Sequence, residues 1–140
     1  MREILFRGKR IDNGEWVEGI PINTHIGTFI VFEENPHYCD QYGYMEIDGL
    51  VKVDPATVGQ YTGLTDKNGK RIFEGDVIKG LFLFGLEVLS VVDFEGGSFG
   101  LKWNRGDIAE FSPFTSICNV SFEVIGNIHD NPELIKEEPK

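Results

Sequence analysis

The sequence of 140 residues has little cysteine, few basic residues and no long apolar run. Its two cysteines, Cys39 and Cys118, cannot form a disulfide framework, and the residues after Met1 lack the pattern of a secretion signal, so reduced cytoplasmic thiols are expected. The longest apolar region, Leu81–Leu86, is far shorter than the about twenty residues that span a bilayer. We therefore expect a soluble cytoplasmic protein that does not contact a membrane.

Basic residues are scarce relative to acidic ones. Thirteen Lys and Arg face 23 Asp and Glu, which gives a formal net charge of −10. Such a charge disfavours binding to nucleic acid, because phosphate contacts need a positive surface. The alternative of a local patch rests on five basic residues near possible stacking partners at Tyr61 and Phe73. The candidate patch consists of Arg7, Lys9, Lys67, Lys70 and Arg71.

Signatures of catalysis and metal binding are also missing. The sequence has no P-loop, dinucleotide fingerprint, nucleophile elbow or HExxH motif. His37 and Cys39 are two residues apart, but no second pair completes a zinc site, so we expect no metal and no cofactor. Asp66, Glu74 and Asp76 lie close in sequence and are expected to be solvated turn acids. We expect no enzymatic activity; a hydrolase using these carboxylates, or the His37 and Cys39 loop, is the alternative.

Glycine and phenylalanine are abundant, with 17 and 11 copies. Short runs of β-branched and aromatic residues between glycine-rich turns predict an all-β fold. Hairpin turns are expected at four places. They are Asp12–Gly14, Asp48–Gly49, Asn68–Gly69 and Glu95–Ser98. The strands after Glu74–Asp76 follow the spacing of a meander and predict an SH3-like barrel.

Other segments are expected to be less regular. Residues 33–41 and Asn104–Pro113 are predicted as loops, because each contains proline and polar residues. Asp54 before Pro55 predicts a single helical turn over residues 55–58. Asn131 before Pro132 predicts a short C-terminal helix.

The predicted organisation is a single domain with two β subassemblies. A weak boundary between the two subassemblies is expected at the corner formed by Asp54 and Pro55. This gives an N-terminal hairpin lobe at about residues 1–56, a barrel-like lobe at about 57–135 and a frayed tail at 136–140.

The segment Gly80–Gly85 is the most unusual stretch in the sequence. Four consecutive large apolar residues, Leu81, Phe82, Leu83 and Phe84, stand between its two glycines. A half-buried strand hides only every second side chain, so something must cover the other face. Two interpretations stay open: a central strand buried on both sides, or an apolar arm that packs on a second copy of the chain or on another protein.

Three separated motifs resemble those of a known family. They are FRGKRIDNGEWVEG at residues 6–19, GQYTGLTDKNGKRIFEGDVI at 59–78 and FEVIGNIHDNPELI at 122–135. In this order they resemble the YopX family of phage and prophage proteins, over nearly the whole chain. The resemblance implies an all-β fold and a phage or prophage setting, but no activity. With the missing signatures, it favours a non-catalytic accessory protein that acts by protein contact, as a homo-oligomer or with a host or phage protein.

Overall fold

The computed structural model describes residues 3–32, 37–39, 41, 43–46, 49–117 and 121–135, with the backbone alone at 37–39 and 44–46. Within these residues the regular structure is antiparallel β, which confirms the all-β prediction, and the helical turns are two 3-10 turns. The strands are β1 (Phe6–Arg10), β2 (Trp16–Thr24), β3 (Gly27–Val31), β4 (His37–Cys39), β5 (Tyr44–Glu46), β6 (Leu50–Thr65), β7 (Arg71–Phe73), β8 (Asp76–Leu83), β9 (Leu86–Glu95), β10 (Ser98–Arg105), β11 (Ile108–Pro113) and β12 (Glu123–Asn127). The chain divides into two compact units, residues 1–60 and 61–140.

The first unit contains a closed ring of four strands. β1 pairs with β2, β2 with β3, β3 with β6, and β6 returns to pair with β1. Ile30 and Val53 are fully buried inside the ring. Gly19 allows β2 to approach β3, because a Cβ there would collide with the carbonyl oxygen of Val31. Because the ring is closed, each of these four strands pairs with a neighbour on both sides.

The helical turn predicted at residues 55–58 is wrong. These residues belong to β6, where the four residues 55–58 bulge out between the pairings of Asp54 with Lys9 and of Gly59 with Arg7. Asp54 does accept a hydrogen bond from the Ala56 amide at 3.0 Å, as an aspartate at a helix start would. The Lys9 amide of β1 donates to the Thr57 hydroxyl at 2.8 Å. Pairing with β1 therefore stabilises an extended strand in a sequence that by itself favours a helical turn.

The predicted loop at residues 33–41 is corrected in part. Its residues 37–39 form β4, which pairs with β5 in a separate two-stranded sheet. The remaining residues of that prediction lie outside the described part of the chain, except Gln41.

The second unit is built on a five-stranded antiparallel sheet in the order β11-β10-β9-β8-β12. Four strands form the predicted meander, and the last strand, β12, returns beside the first, β8. Its apolar core includes Ile78, Val92 and Leu101, each at most 1% exposed. The loop predicted at Asn104–Pro113 is wrong over most of its length, because Ile108–Pro113 forms β11, which pairs with Gly100–Arg105 of β10. A neighbouring strand supplies the hydrogen bonds that the local sequence does not predict.

Three of the four predicted hairpin turns are present, with different loop lengths in two. The fourth, at residues 48–49, lies partly outside the described residues. Asn68 and Gly69 lie in a five-residue loop between Thr65 and Arg71, which face each other in the register of β6 and β7. The β9–β10 turn consists of Gly96 and Gly97 alone, because Glu95 already pairs with Ser98.

The predicted C-terminal helix is a single 3-10 turn at Pro132–Leu134. Asn131 precedes it as predicted, but its side chain does not cap the turn. The Asn131 Oδ1 atom instead accepts a hydrogen bond from the Asn127 amide at 3.3 Å. The asparagine therefore fixes the end of β12 rather than starting a helix.

Candidate functional site

The turn between β8 and β9 carries an aromatic residue in an unfavourable backbone conformation. Leu83 pairs with Leu86, which leaves Phe84 and Gly85 as the two turn residues. Their φ angles are 52° and 80°, as in the tight hairpin turns that prefer Asn-Gly. Phe84 is the one non-glycine residue with positive φ among the residues that the structure describes. A bulky side chain at such a position is strained.

The side chains around this turn form an exposed apolar surface. Phe82 is 61% exposed, Phe84 92% and Leu86 71%. The guanidinium of Arg105 lies 5.7 Å from the centre of the Phe84 ring, which brings the β10–β11 turn alongside. Arg105 pairs with Ile108, which is 65% exposed. We name Phe82, Phe84, Leu86 and Ile108 together the apolar tip.

The predicted interface residues Leu81, Phe82, Leu83 and Phe84 separate into two groups. Leu81 is buried in the core, and the half-buried Leu83 packs against that core. Phe82 and Phe84 are exposed. A strand buried on both sides is therefore wrong for this segment. The alternative, an arm that contacts a second chain, stays a prediction and now involves Phe82 and Phe84 rather than all four residues.

The second unit has a cavity of about 390 Å³ whose lining includes Val91, Trp103 and Ile128, and another of about 380 Å³ beside the apolar tip, which Trp103 also lines. The latter, which we name the Trp103 cavity, is lined mainly by apolar side chains together with two serines. Among its lining residues are Leu81, Phe82, Leu83, Trp103, Phe122, Ser112 and Ser116. None of the described lining residues is charged. Phe82 therefore belongs both to the apolar tip and to the wall of this cavity.

Trp103 contributes a buried hydrogen-bond donor. The residue is 8% exposed, and its Nε1 atom has no hydrogen-bond partner within the described part of the chain. Its ring lies on the core side of β10 together with Leu101, opposite Lys102, because side chains alternate along a strand. Leaving a buried N–H without an acceptor costs about 1–3 kcal/mol.

Two members of the candidate basic patch lie in the first unit. Arg7 is buried, and its guanidinium lies 4.7 Å from the centre of the Trp16 ring, so this side chain is part of the folded interior. Lys9 is half-buried in the same strand.

The other three members lie in the second unit around the β6–β7 loop. Lys67 forms an ion pair of 3.3 Å with Glu123, and the guanidinium of Arg71 lies 5.7 Å from the centre of the Tyr61 ring. Lys70 is exposed. The nucleic-acid alternative names Tyr61 or Phe73 as a residue that stacks on bases, but both are buried and their ring centroids are 5.6 Å apart. The stacking prediction is therefore wrong, whereas binding by Lys67, Lys70 and Arg71 stays untested.

The carboxylates of the hydrolase alternative are engaged by the backbone. The amides of Asn68 and Lys70 donate to Asp66 Oδ1, both at 2.9 Å, and the Val124 amide donates to Asp66 Oδ2 at 3.0 Å. The Phe73 amide donates to Asp76 Oδ2 at 2.8 Å. Asp66 and Asp76 are buried, so they are not the solvated turn acids that the sequence predicts. Neither they nor Glu74 lines either cavity described above.

The His37 and Cys39 side chains lie outside the described residues, as does Cys118. Within the described residues, no group of three or more His, Cys, Asp or Glu side chains is placed to hold a metal ion. No helix in the described part of the chain has the length and hydropathy needed to cross a membrane.

Parts of the candidate site were not predicted from the sequence. Ile108 joins the apolar tip because the β10–β11 turn lies beside the β8–β9 turn, where Arg105 contacts the Phe84 ring. The alternation of Phe99, Leu101 and Trp103 correctly predicts that Trp103 is internal. No sequence signal indicates that its N–H lacks a partner.

A closed ring of strands, a five-stranded antiparallel sheet and an apolar hairpin tip define a small, two-unit all-β protein. The chain belongs to the YopX protein family, whose model matches residues 5–136. A crystal structure of protein EF1440 from Enterococcus faecalis is similar to it, with a TM-score of 0.63 and 24% sequence identity, covering 97% of this chain and 100% of that chain. At this identity the likeness shows the fold alone. A search of the curated proteins found no match.

Proposed function

We propose that this protein is a non-catalytic accessory module that acts by protein contact through the apolar tip. The observation that carries the proposal is Phe84, which combines positive φ with the largest exposed fraction of any large hydrophobic side chain that the structure describes. Family membership is consistent with an accessory role.

Phe84 contributes little to the stability of the isolated fold. Holding a bulky residue in the left-handed region costs about 1–2 kcal/mol. Its ring remains in water, so the fold does not gain the stabilisation of about 1.5–3 kcal/mol that burial of such a side chain provides. A turn that favours Asn-Gly would fold better without this ring. A contact with another molecule recovers the forgone burial, and that is the role we assign to the residue.

The partner that we propose is a second copy of the same chain, so the working form is a homo-oligomer in the cytoplasm of a cell that carries the phage or prophage. The exposed apolar side chains of the tip support this, because contact with a second copy would remove them from water. Glu87 faces Phe82 in the β8–β9 register, so the contact must also accommodate this carboxylate.

Substitution of the apolar tip tests this function. Phe84→Asn combined with Leu86→Thr should weaken self-association more than tenfold, because each lost side chain removes about 1.5–3 kcal/mol of burial and 1.4 kcal/mol corresponds to a factor of ten. Sedimentation equilibrium over a range of protein concentrations measures the effect.

The matched control is Ile26→Asn. Ile26 is 63% exposed in the β2–β3 turn of the first unit, so it has similar exposure at a different hairpin end. The control should associate like the unchanged chain. The proposal is wrong if the tip variant keeps its oligomeric mass, or if the unchanged chain is monomeric at every concentration.

A further inference from the structure

We propose that Asn68 is a site of spontaneous covalent modification, at which the backbone nitrogen of Gly69 attacks the Asn68 side chain and converts this residue to isoaspartate. The modification loosens the attachment of the β6–β7 loop to β12 as the molecule ages. The site shares no residue with the apolar tip, so its chemistry does not depend on the proposed function.

The reaction needs these two residues and water. The Gly69 nitrogen forms a bond to Cγ of Asn68, the bond from Cγ to Nδ2 breaks, and the proton lost by Gly69 leaves with Nδ2 as ammonia. The five-membered succinimide ring then takes up one water molecule and opens at either of its carbonyl groups, which gives aspartate or isoaspartate. Glycine in the following position favours ring closure, because it has no Cβ to hinder the approach.

Asn68 is one of two asparagines in the sequence that precede glycine, and the other is Asn13. Both asparagines are exposed. The amides of the following glycines, Gly14 and Gly69, each donate a hydrogen bond of 3.0 Å to a backbone carbonyl oxygen. Opening this bond is therefore a cost that the two sites share, and it does not decide between them.

The side-chain amides of the two asparagines are held differently. Oδ1 of Asn13 accepts a hydrogen bond of 2.9 Å from the Glu15 amide, and reorientation of the Asn13 side chain has to break this bond. Within the described residues, the side chain of Asn68 forms no hydrogen bond, so it can turn toward the Gly69 nitrogen. We therefore expect Asn68 to react about 2- to 10-fold faster than Asn13 in the folded protein, which corresponds to the net contribution of one hydrogen bond.

Isoaspartate at position 68 conflicts with the hydrogen bonds inside the loop. The amides of Asn68 and Lys70 both donate to Oδ1 of Asp66, each at 2.9 Å. The backbone of the isoaspartate form runs through the former side chain and has one additional atom between these two amides. At least one of the two bonds should therefore be lost. The new carboxylate also adds a like charge close in sequence to Asp66.

The loop is attached to β12 and to the residue before it. Oδ2 of Asp66 accepts a hydrogen bond from the Val124 amide at 3.0 Å. The Lys67 amide donates to the carbonyl oxygen of Phe122 at 2.9 Å, and the Lys67 side chain forms its ion pair with Glu123. A displaced loop carries Asp66 and Lys67 away from these partners, so the modification should weaken the second unit.

Peptide mapping of the aged protein tests the site. The full chain is incubated in mildly alkaline buffer, and the peptides that contain residues 13 and 68 are quantified in their asparagine, aspartate and isoaspartate forms. Isoaspartate should accumulate about 2- to 10-fold faster at position 68. In urea, where neither side chain is held by the fold, the two rates should be about equal. Absence of isoaspartate at position 68, or a rate at Asn13 that is equal or higher in the folded protein, overturns the proposal.

Urea unfolding of the aged chain, enriched in its modified form by anion exchange, tests the effect on the loop. The equilibrium constant for unfolding should rise about tenfold or more, because a hydrogen bond to a buried carboxylate is lost. Asn68→Asp is the matched control, since it adds the charge without the extra backbone atom, and its effect should be smaller. Asn68→Gln, aged in parallel, should keep its stability because a glutamine forms the larger ring more slowly. The proposed loosening of the loop is refuted if the aged chain and Asn68→Gln unfold at the same urea concentration.

Discussion

Asp66 organises the loop between β6 and β7 from a buried position. The residue is 7% exposed and receives hydrogen bonds from three backbone amides. Burial raises the pKa of its carboxyl, but the amides of Val124, Lys70 and Asn68, with the charge of Lys70, outweigh burial and hold that pKa below its ordinary value. The charged form of Asp66 is therefore part of the folded structure.

Removing this charge should destabilise the second unit. We expect Asp66→Ala to lower the free energy of unfolding by about 2–4 kcal/mol, because it leaves buried amides without an acceptor. Urea unfolding measures the change. Asp12→Asn is the matched control: Asp12 also has a lowered pKa, through its hydrogen bond with Arg10, but it is exposed and should have little effect. A loss as small as that of the control would contradict the structural role of Asp66.

The same carboxylate predicts a pH dependence. A folded-state pKa below the unfolded value of about 3.9 contributes stability that is fully present above the unfolded pKa and is lost as pH falls through the folded pKa. We therefore expect unfolding free energy to fall below about pH 4, and to fall less steeply in Asp66→Ala. Urea titrations at several pH values test this, and parallel curves for the two proteins would refute it.

Substitution of Ser90 is expected to stabilise the protein, in contrast to substitution of Asp66. Its hydroxyl is buried in β9 without a hydrogen-bond partner in the described part of the chain. Ser90→Ala removes an unsatisfied polar atom and leaves a cavity no larger than that atom, so we expect it to stabilise the protein by about 1 kcal/mol. Thermal unfolding measures the shift, and a lowered melting temperature would show that the hydroxyl has a partner.

At the scale of elements, the sequence predicts turns better than it predicts pairing. Asn and Gly pairs mark the hairpins because positive φ is a local property of those residues. The strand at Ile108–Pro113 and the continuation of β6 through Pro55 depend on hydrogen bonds from β10 and β1. Those partners are distant in sequence, and no local pattern of residues indicates them.

The β8–β9 turn should gain stability from the variant that weakens association. Asn adopts positive φ at a lower cost than Phe, so Phe84→Asn should stabilise the monomer by about 0.5–1 kcal/mol. Urea unfolding at a concentration where the unchanged chain is monomeric measures this. Phe84→Leu, which keeps the strained backbone and an apolar side chain, is the matched control. Destabilisation by Asn would mean that the ring supports the fold, for example through Arg105.

At the scale of the whole molecule, the net charge gives self-association and nucleic-acid binding opposite dependences on salt. Raising salt from about 0.1 M to about 1 M shortens the screening length from about 10 Å to about 3 Å. Because each copy carries a formal net charge of −10, screening should tighten self-association. Nucleic-acid binding through Lys67, Lys70 and Arg71 would weaken steeply over the same range. Sedimentation and single-stranded DNA binding, each measured at both salt concentrations, distinguish these modes.

Sequence patterns indicate the candidate site only in outline. The run from Leu81 to Phe84 breaks the alternation of a half-buried strand, and the structure traces this to a strand end followed by an aromatic turn. The residues that carry the family resemblance are used largely for folding: Asp66, Asp76 and Asn127 bind backbone amides. The Trp103 cavity depends on the packing of β8, β10, β11 and the segment before β12, and this is why no motif predicts it.

During synthesis, the ring of the first unit remains open until β6 leaves the ribosome, because it closes through the pairing of Phe6 with Gln60. Until then the nascent β1 and β3 each present an unpaired edge to the cell. At about 5–20 residues per second, the segment from Val31 to Gln60 takes a few seconds to translate. The newly made chain is therefore most open to pairing with a foreign strand in this interval.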